Sequence, residues 1–299
     1  MRRAFAAAAL LQCASLSAVA AESDYWTYTY RNVEVTAAGS GAYAVNLARY
    51  CVRLDGMLTQ ILGIKTAERP AVHLYALAPE QVRRLLGNGD RVSYRISSAG
   101  TFILTNNSSA HDSDYWGAYY GYTAALLASD HLLKGPDWYK TGVPLVFAST
   151  KYHGDRAQLG TVPLGYGLIL GQGSALIPMA EFLSLRRATV FGDAVRIKVY
   201  DAEAWGLAHE VLVEGWHRKE FAKYLDLMRQ GSDEPAAFAS SFTVTHEQLD
   251  REFAYALHQR AYVYTLSAPD PGAAGEVAQA LSAEEVTERM ALLAEQYTK

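Results

Sequence analysis

Residues 114–142 constrain the fold of this chain most, because they hold two helix signals separated by a strong stop. Asp114 can accept an amide hydrogen of the first helical turn, and the glycine and proline at positions 135 and 136 end that helix. Apolar and aromatic side chains recur at helical spacing between these points, at Tyr119, Tyr122, Leu126 and Leu133. They predict a first helix with one buried stripe, and Pro136 begins a second helix.

This layout resembles the peptidase MA-like (gluzincin) domain of secreted bacterial proteins. In that family a helix carries H-E-Y-T-H, and a P-x-W-x-x-E-G segment follows about one short helix later. The first motif here is Tyr120-Gly121-Tyr122-Thr123-Ala124, and the second is Pro136-Asp137-Trp138-Tyr139-Lys140-Thr141-Gly142. The framework residues of the family match at Tyr122, Thr123, Pro136, Trp138 and Gly142.

The chemical residues of the family are missing from both motifs. In active members two histidines and the later glutamate bind zinc, and the first glutamate activates the zinc-bound water. Here Tyr120 and Ala124 stand at the histidine positions, Gly121 at the general base and Thr141 at the third ligand. Neither a phenol, with an ordinary pKa of about 10, nor a methyl group replaces neutral imidazole. The resemblance therefore implies a peptidase-like fold without catalytic residues, bound metal or cofactor.

The alternative to an inactive domain is a metal site built from residues outside the two motifs. His209-Glu210 begins like a zinc motif, but Val213 stands where the second histidine would be. A displaced metal site from His209, Glu214 and His217, or from a polar loop holding His111, Asp112 and Asp114, stays open beside the simpler interpretations as a polar helix face and a capping loop. Such a site would make the chain an active zinc-dependent peptidase or another hydrolase.

An aromatic cleft is the expected binding surface. By the family's layout it would be lined by Tyr119, Tyr120, Tyr122, Trp138 and Tyr139, with Phe102 on a nearby strand. Such clefts bind peptides or glycans by stacking and burial, although the same rings could instead fill the space left by the zinc site. By position, residues 102–105 resemble the sheet edge that receives extended substrate, so they could pair with a peptide or be an ordinary covered edge.

The same layout predicts that the motif can be restored. Glycine inside a helix costs about 1 kcal/mol relative to alanine, so Gly121→Glu should favour the first helix. The changes Tyr120→His, Ala124→His and Thr141→Glu should also be tolerated structurally, with some loss of stability.

The order of elements predicts an α+β fold. A small N-terminal mixed sheet with helices (residues 21–113) is followed by a mostly helical, gluzincin-like part (114–265), a linker (266–280) and a last helix (281–299). We expect one strand over residues 25–35, helices over 42–62 and 79–86, and irregular glycine-rich segments over 151–160 and 163–173. Ser282 and Glu285 form a capping box, but the sequence leaves open whether the last helix packs on the domain or meets a partner.

The N-terminus has the pattern of a secretory signal, with Arg2 and Arg3 before an apolar run and a small-residue cleavage site ending at Ala20. We expect a periplasmic or secreted protein. No later run is apolar enough for a membrane span. The formal net charge of −4 makes nucleic acid an unsuitable partner, so a peptide or a cell-envelope component remains. Removal of residues 1–20 leaves a single cysteine, Cys51, for which we predict a buried thiol.

Overall fold

The computed structural model describes residues 25–63, 71–87, 92–107, 115–129, 135–171, 176–258, 263–269, 272 and 277–297. Its strands are β1 (Tyr25–Tyr30), β2 (Val33–Ala38), β3 (Val72–Leu77), β4 (Val92–Ser97), β5 (Gly100–Asn106), β6 (Lys151–His153), β7 (Arg156–Leu159), β8 (Tyr264–Ser267) and β9 (Gln279–Ala280). Its helices are α1 (Gly41–Leu62), α2 (Pro79–Leu86), α3 (Trp116–Ser129), α4 (Asp137–Ala148), α5 (Leu164–Gly171), α6 (Met179–Phe182), α7 (Arg187–Val190), α8 (Arg196–His209), α9 (Arg218–Arg229), α10 (Glu234–Ser241), α11 (His246–His258) and α12 (Ala283–Tyr297), with a π-helical turn at Glu210–Glu214. The predicted mixed α+β class is confirmed.

The chain folds as two compact units. The first comprises residues 1–110, 114–125 and 269–299, and the second comprises 111–113 and 126–268. This division differs from the boundaries expected from sequence, because the start of α3 and the last helix both group with the N-terminal strands. The expected linker also contributes structure, since β9 pairs with β1.

The first unit is built on a six-stranded mixed sheet in the order β4-β5-β3-β2-β1-β9. The central β2-β3 and β3-β5 pairs are parallel, and the outer pairs are antiparallel. The prediction that residues 102–105 form an edge was therefore wrong. Strand β5 pairs with β3 on one side and β4 on the other, so its backbone has no open side for a peptide.

The single strand expected over residues 25–35 is a hairpin. Strands β1 and β2 pair from Tyr25↔Ala38 to Tyr30↔Val33, and Arg31 turns the chain with a φ of 53°. No glycine or proline marks this turn in the sequence, which is why the alternating pattern suggested one continuous strand.

Helix boundaries in the first unit follow their local signals. The Ser40 hydroxyl accepts the amide hydrogen of Tyr43 at the start of α1, and Gly63 ends that helix in the left-handed region. Helix α2 runs from Pro79 to Leu86 as predicted, with a left-handed Gly87 after it. Cys51 is buried in α1, and burial raises the pKa of its thiol.

The last helix packs back on the first unit, which answers the question that the sequence left open. Its buried Val286, Met290 and Leu293 join one hydrophobic cluster with sheet residues, among them Tyr25 and Phe102. The predicted capping box is present, since the Ser282 amide donates to the Glu285 carboxylate at 2.7 Å and the Glu285 amide donates to the Ser282 hydroxyl at 3.3 Å.

The second unit is mostly helical, with a small antiparallel sheet in the order β6-β7-β8. Two expectations for its sequence were wrong. The segment expected to be irregular over residues 151–160 forms the β6-β7 hairpin, and the one over 163–173 contains α5. The amides of Tyr166 and Gly167 donate to the Pro163 carbonyl, which closes the first turn of α5 despite its glycines.

Candidate functional site

The first motif lies on the part of α3 that belongs to the first unit, and two glycines of this helix, Gly117 and Gly121, face the sheet. A Cβ built on Gly121 would lie 2.7 Å from Ile103 Cγ2 and 3.0 Å from Val92 Cγ2, and one on Gly117 would lie 2.2 Å from Thr105 Oγ1. Two glycines one turn apart therefore let the helix backbone approach β5 and β4 more closely than any side chain allows. The position expected for the general base is used for packing.

The aromatic stripe of α3 is core. Tyr119 and Tyr122 are each 1% exposed. The Tyr115 ring stacks on Tyr119 at 5.8 Å between centroids and on Tyr43 of α1 at 5.4 Å. These contacts attach α3 to α1, and burial of this depth keeps Tyr119 and Tyr122 from lining an open cleft.

Tyr120, at the first histidine position, is the exception on this helix. Its ring stacks on Trp116 with centroids 5.5 Å apart and planes 12° apart, and both side chains are partly exposed. Ala124, at the second histidine position, is only 5% exposed. At the position of the family's first histidine, the ring of Tyr120 therefore stacks on the neighbouring Trp116.

Phe102 does not line a cleft. It is fully buried in the cluster beneath α12, and its ring stacks on His73 at 4.9 Å. Because its side chain is 0% exposed, no ligand in solution can reach it.

The second motif lies on α4 in the second unit. Trp138 is fully buried and Tyr139 is 5% exposed. The indole of Trp138 packs edge-on against Phe221 at 5.7 Å. A Cβ built on Gly142 would lie 2.0 Å from the Ala204 carbonyl oxygen, so only glycine allows α4 to contact α8 at this point. The framework glycine of this motif thus allows two helices to pack closely.

Thr141, at the third ligand position, takes part in a buried polar contact. It is 5% exposed and shares a hydrogen bond with the Tyr200 side chain. Tyr200 in turn donates to the Leu185 carbonyl at 3.3 Å. Burial raises the pKa of the Tyr200 phenol, the nearby carboxylates of Asp137 and Asp201 raise it further, and the Thr141 bond lowers it in part. This phenol remains protonated and structural.

The residues considered for a relocated metal site have separate partners. His209 is 1% exposed, stacks on Trp205 at 4.9 Å and lies 3.7 Å from the Glu210 carboxylate. His217 contacts the Glu252 carboxylate at 2.8 Å instead. Within the described residues no three histidine, cysteine, aspartate or glutamate side chains form a metal-binding group. His111, Asp112 and Asp114 lie outside those residues.

Sequence reasoning missed a charged cluster on the sheet of the first unit. Glu34 binds His73 Nδ1 at 2.8 Å and Arg289 Nη1 at 2.7 Å, and Arg289 also donates to the Thr36 hydroxyl at 3.1 Å. The His73 hydrogen bond, together with Arg289, lowers the pKa of Glu34 to about 2 despite its partial burial. Glu34, His73 and Arg289 come from β2, β3 and α12, so no local sequence pattern predicts the cluster.

Glu203 on α8 was missed as well, although Ala202, Ala204 and Leu207 around it mark a buried helix face. It is 1% exposed and accepts the Ile177 amide hydrogen at 2.5 Å. Burial raises the pKa of this carboxyl to about 8; the Ile177 bond opposes the shift, and the charges of Asp250 and Glu181 add to it. The hydrogen bond from Ile177 to Glu203 therefore fixes the chain at Ile177 to α8, and burial favours the protonated form of this carboxyl.

No helix in the described ranges is long and apolar enough to cross a membrane. Comparison with protein-family models and with curated proteins finds no match to this chain. The family resemblance accordingly rests on the two motifs quoted above and on the order of the elements.

Proposed function

We propose that this chain is an exported, catalytically inactive relative of peptidase MA-like enzymes and acts as a binding or scaffold module. The main support for the proposal is that the first motif makes packing and stacking contacts. Gly121 packs against Ile103 and Val92, while Tyr120 forms a partly exposed stack with Trp116. The side chains at the positions of the general base and the first histidine therefore serve packing and stacking instead of catalysis.

The second motif supports the same proposal. Thr141 is hydrogen-bonded within the core, and Gly142 is confined by the Ala204 carbonyl. A glutamate at position 141 would bring a charge into this buried environment and break the contact with Tyr200, at a cost of roughly 1–3 kcal/mol or more. The separate partners of His209 and His217 lend no support to the alternative of a relocated hydrolase site.

The Trp116–Tyr120 pair is the surface we assign to ligand binding. Partly exposed parallel rings bind flat apolar groups, which include the faces of sugar rings and the side chains of peptides. The pair replaces the buried aromatic cleft expected from sequence. Peptide or cell-envelope glycan remains the proposed ligand class.

Titration of the purified protein with a peptide library and with soluble cell-wall glycan fragments tests the binding role. Trp116→Ala should weaken binding by about tenfold or more, as expected when a central aromatic is lost. Tyr120→Phe keeps the stack and should bind like the wild type. Ile96→Ala, which removes an exposed side chain of the same unit, is the matched control. Binding that survives Trp116→Ala would refute the assignment.

Elemental analysis after mild dialysis tests the inactive site. We expect no stoichiometric zinc, because Tyr120, Ala124 and Thr141 supply no ligand set. One tightly held zinc ion per chain would overturn the proposal and make His209 and His111 the first ligands to substitute.

Export is tested by the intact mass of protein recovered from the cell envelope. Cleavage near Ala20 should remove residues 1–20. A mass that retains them would contradict the proposed periplasmic or secreted location.

A further inference from the structure

Strand β4 forms one edge of the six-stranded sheet. Its six residues pair with β5 along their whole length, and within the described ranges no strand pairs with its other side. The opposite edge of this sheet is β9, which has only two residues. A six-residue edge offers backbone amides and carbonyls to any second strand, so natural proteins usually cover or charge such edges.

The backbone groups that face outward belong to alternate residues of β4. On the far side of β5, the Thr101 amide donates to the Ala71 carbonyl at 2.9 Å, which directs the backbone of the next residue, Phe102, towards β4. Arg95 is the register partner of Phe102, so its own backbone is bonded within the hairpin. The alternation directs the amides and carbonyls of three other residues to the open edge, namely Val92, Tyr94 and Ile96.

This edge matches itself in one antiparallel register. When Tyr94 lies opposite Tyr94 of a second copy, Val92 lies opposite Ile96 on both sides. The outward row then pairs apolar with apolar side chains, and each facing pair exchanges backbone hydrogen bonds. Ile96 is 46% exposed, so pairing would also remove apolar surface from water. A second copy of this chain is therefore the partner that the edge fits.

Arg95 occupies this edge in the folded chain. Its Nη1 donates to the Tyr94 carbonyl at 3.0 Å and lies 3.4 Å from the Ser93 hydroxyl as a second acceptor. The guanidinium carbon lies 5.0 Å from the centroid of the Tyr297 ring, and the Tyr297 hydroxyl donates to the Ser93 carbonyl at 3.1 Å. The guanidinium thus takes the acceptor that an incoming strand needs at the centre of the edge.

The charge of Arg95 opposes pairing as well. In the self-matched register Arg95 lies opposite Ser93 of the second copy, and the two arginines are diagonal neighbours at roughly 7–8 Å. Like charges at such a separation repel each other. Pairing therefore requires a guanidinium hydrogen bond to break on each copy and brings two positive charges together. Neither cost arises with a small uncharged side chain at position 95.

We propose that Arg95 prevents β4 from pairing with β4 of a second copy in the antiparallel register centred on Tyr94. The edge is an association surface that is closed by a side chain of its own strand. This inference concerns assembly, and it holds whether or not Trp116 and Tyr120 bind a ligand.

Sedimentation equilibrium over a range of protein concentrations tests the inference on the exported protein. Arg95→Ala should form dimers with an association constant about tenfold or more above that of the wild type, because the competing charge-assisted hydrogen bond is lost from both copies. Arg84→Ala removes the same charge from an exposed position on α2 of the same unit, so it should associate like the wild type.

Two substitutions of Ile96 in the Arg95→Ala background test which surface associates. Ile96→Pro removes an outward amide and leaves the hydrogen bonds to β5 in place. Ile96→Lys keeps the backbone and puts a charge in the apolar row. Both double variants should return to the association of the wild type, with thermal midpoints that show them to be folded.

Equal association of Arg95→Ala and the wild type would overturn the inference. Dimers that persist in a folded double variant would overturn it too, because they would form through another surface. An equal gain in Arg84→Ala would show that loss of net charge, and not loss of the contact with the Tyr94 carbonyl, causes the association.

Discussion

Substitution of Gly121 by alanine measures how closely α3 approaches the sheet. Alanine inside a helix is favoured over glycine by about 1 kcal/mol. Against this gain, the new methyl group would lie 2.7 Å from Ile103 Cγ2 and 3.0 Å from Val92 Cγ2. Both neighbours are β-branched side chains on paired strands, so relief of the overlap should cost about 1–3 kcal/mol. We expect a net loss of stability of about 0–2 kcal/mol.

Gly56→Ala is the matched control. Gly56 lies within α1 in the same unit, and a Cβ there meets nothing within 4 Å. This variant should gain about 0.5–1 kcal/mol from helix propensity alone. Urea unfolding followed by circular dichroism gives both values, provided that the slope against urea is unchanged. The two variants should differ by about 1–3 kcal/mol.

Equal stabilisation by both alanines would refute the close contact and, with it, the structural role that we give to Gly121. A double-mutant cycle locates the strain. Ile103→Ala removes the opposing methyl groups, so Gly121→Ala should cost less in that background than alone. The same geometry corrects the expectation that Gly121→Glu would favour the helix, because propensity takes no account of the sheet 3 Å away.

Three further predictions concern one core leucine and two carboxyl groups with shifted pKa values. Leu293→Ala should lose about 2–5 kcal/mol in urea unfolding, while Leu292→Ala, at a side chain 41% exposed, should lose little. The carboxyl of Glu203 has a pKa raised to about 8. Its contribution to folding stability is therefore complete below the unfolded pKa near 4.5 and is lost as the pH rises to about 8. Glu203→Gln should remove this decline from the pH profile of thermal melting. Glu34, with a pKa lowered to about 2, contributes stability above pH 4.5 that is lost as the pH falls towards 2, and Glu34→Gln should flatten acid unfolding over that range.

Local signals in the sequence placed the helices well. The predicted ends of α1 at Gly63 and of α2 at Gly87 are confirmed, as is the capping box at Ser282. Each depends on residues within one turn of the boundary, where side-chain and backbone hydrogen bonds decide the outcome. Helix α5 was missed because its three glycines suggested turns, whereas the contact of Leu170 with α8 stabilises the helix.

Pairing between distant segments could not be predicted in the same way. Strand β5 holds the short apolar run Phe102–Leu104 between two threonines, a pattern that fits a buried strand in any position of a sheet. Its neighbours are set by the return of the chain through α2 and the β4-β5 hairpin. The burial of the aromatic residues in the candidate site could not be predicted either, since a tyrosine stripe is equally compatible with a cleft and with a core. Tyr120 and Tyr122 differ by two residues, yet one is partly exposed and the other is core.

The cluster of Glu34, His73 and Arg289 explains why the first unit needs both ends of the described chain. Arg289 lies on α12 and reaches Glu34 and Thr36 on β2, while Met290 and Leu293 of the same helix cover the apolar cluster around Phe102. Loss of α12 would uncover that cluster and leave Glu34 with His73 as its remaining partner of opposite charge when the imidazole is protonated. These contacts close a loop of more than 200 residues, and contacts of such long range form late because their closure entropy must be offset first. The first unit should therefore complete its core only after the second unit has been synthesised, even though its sheet begins at β1.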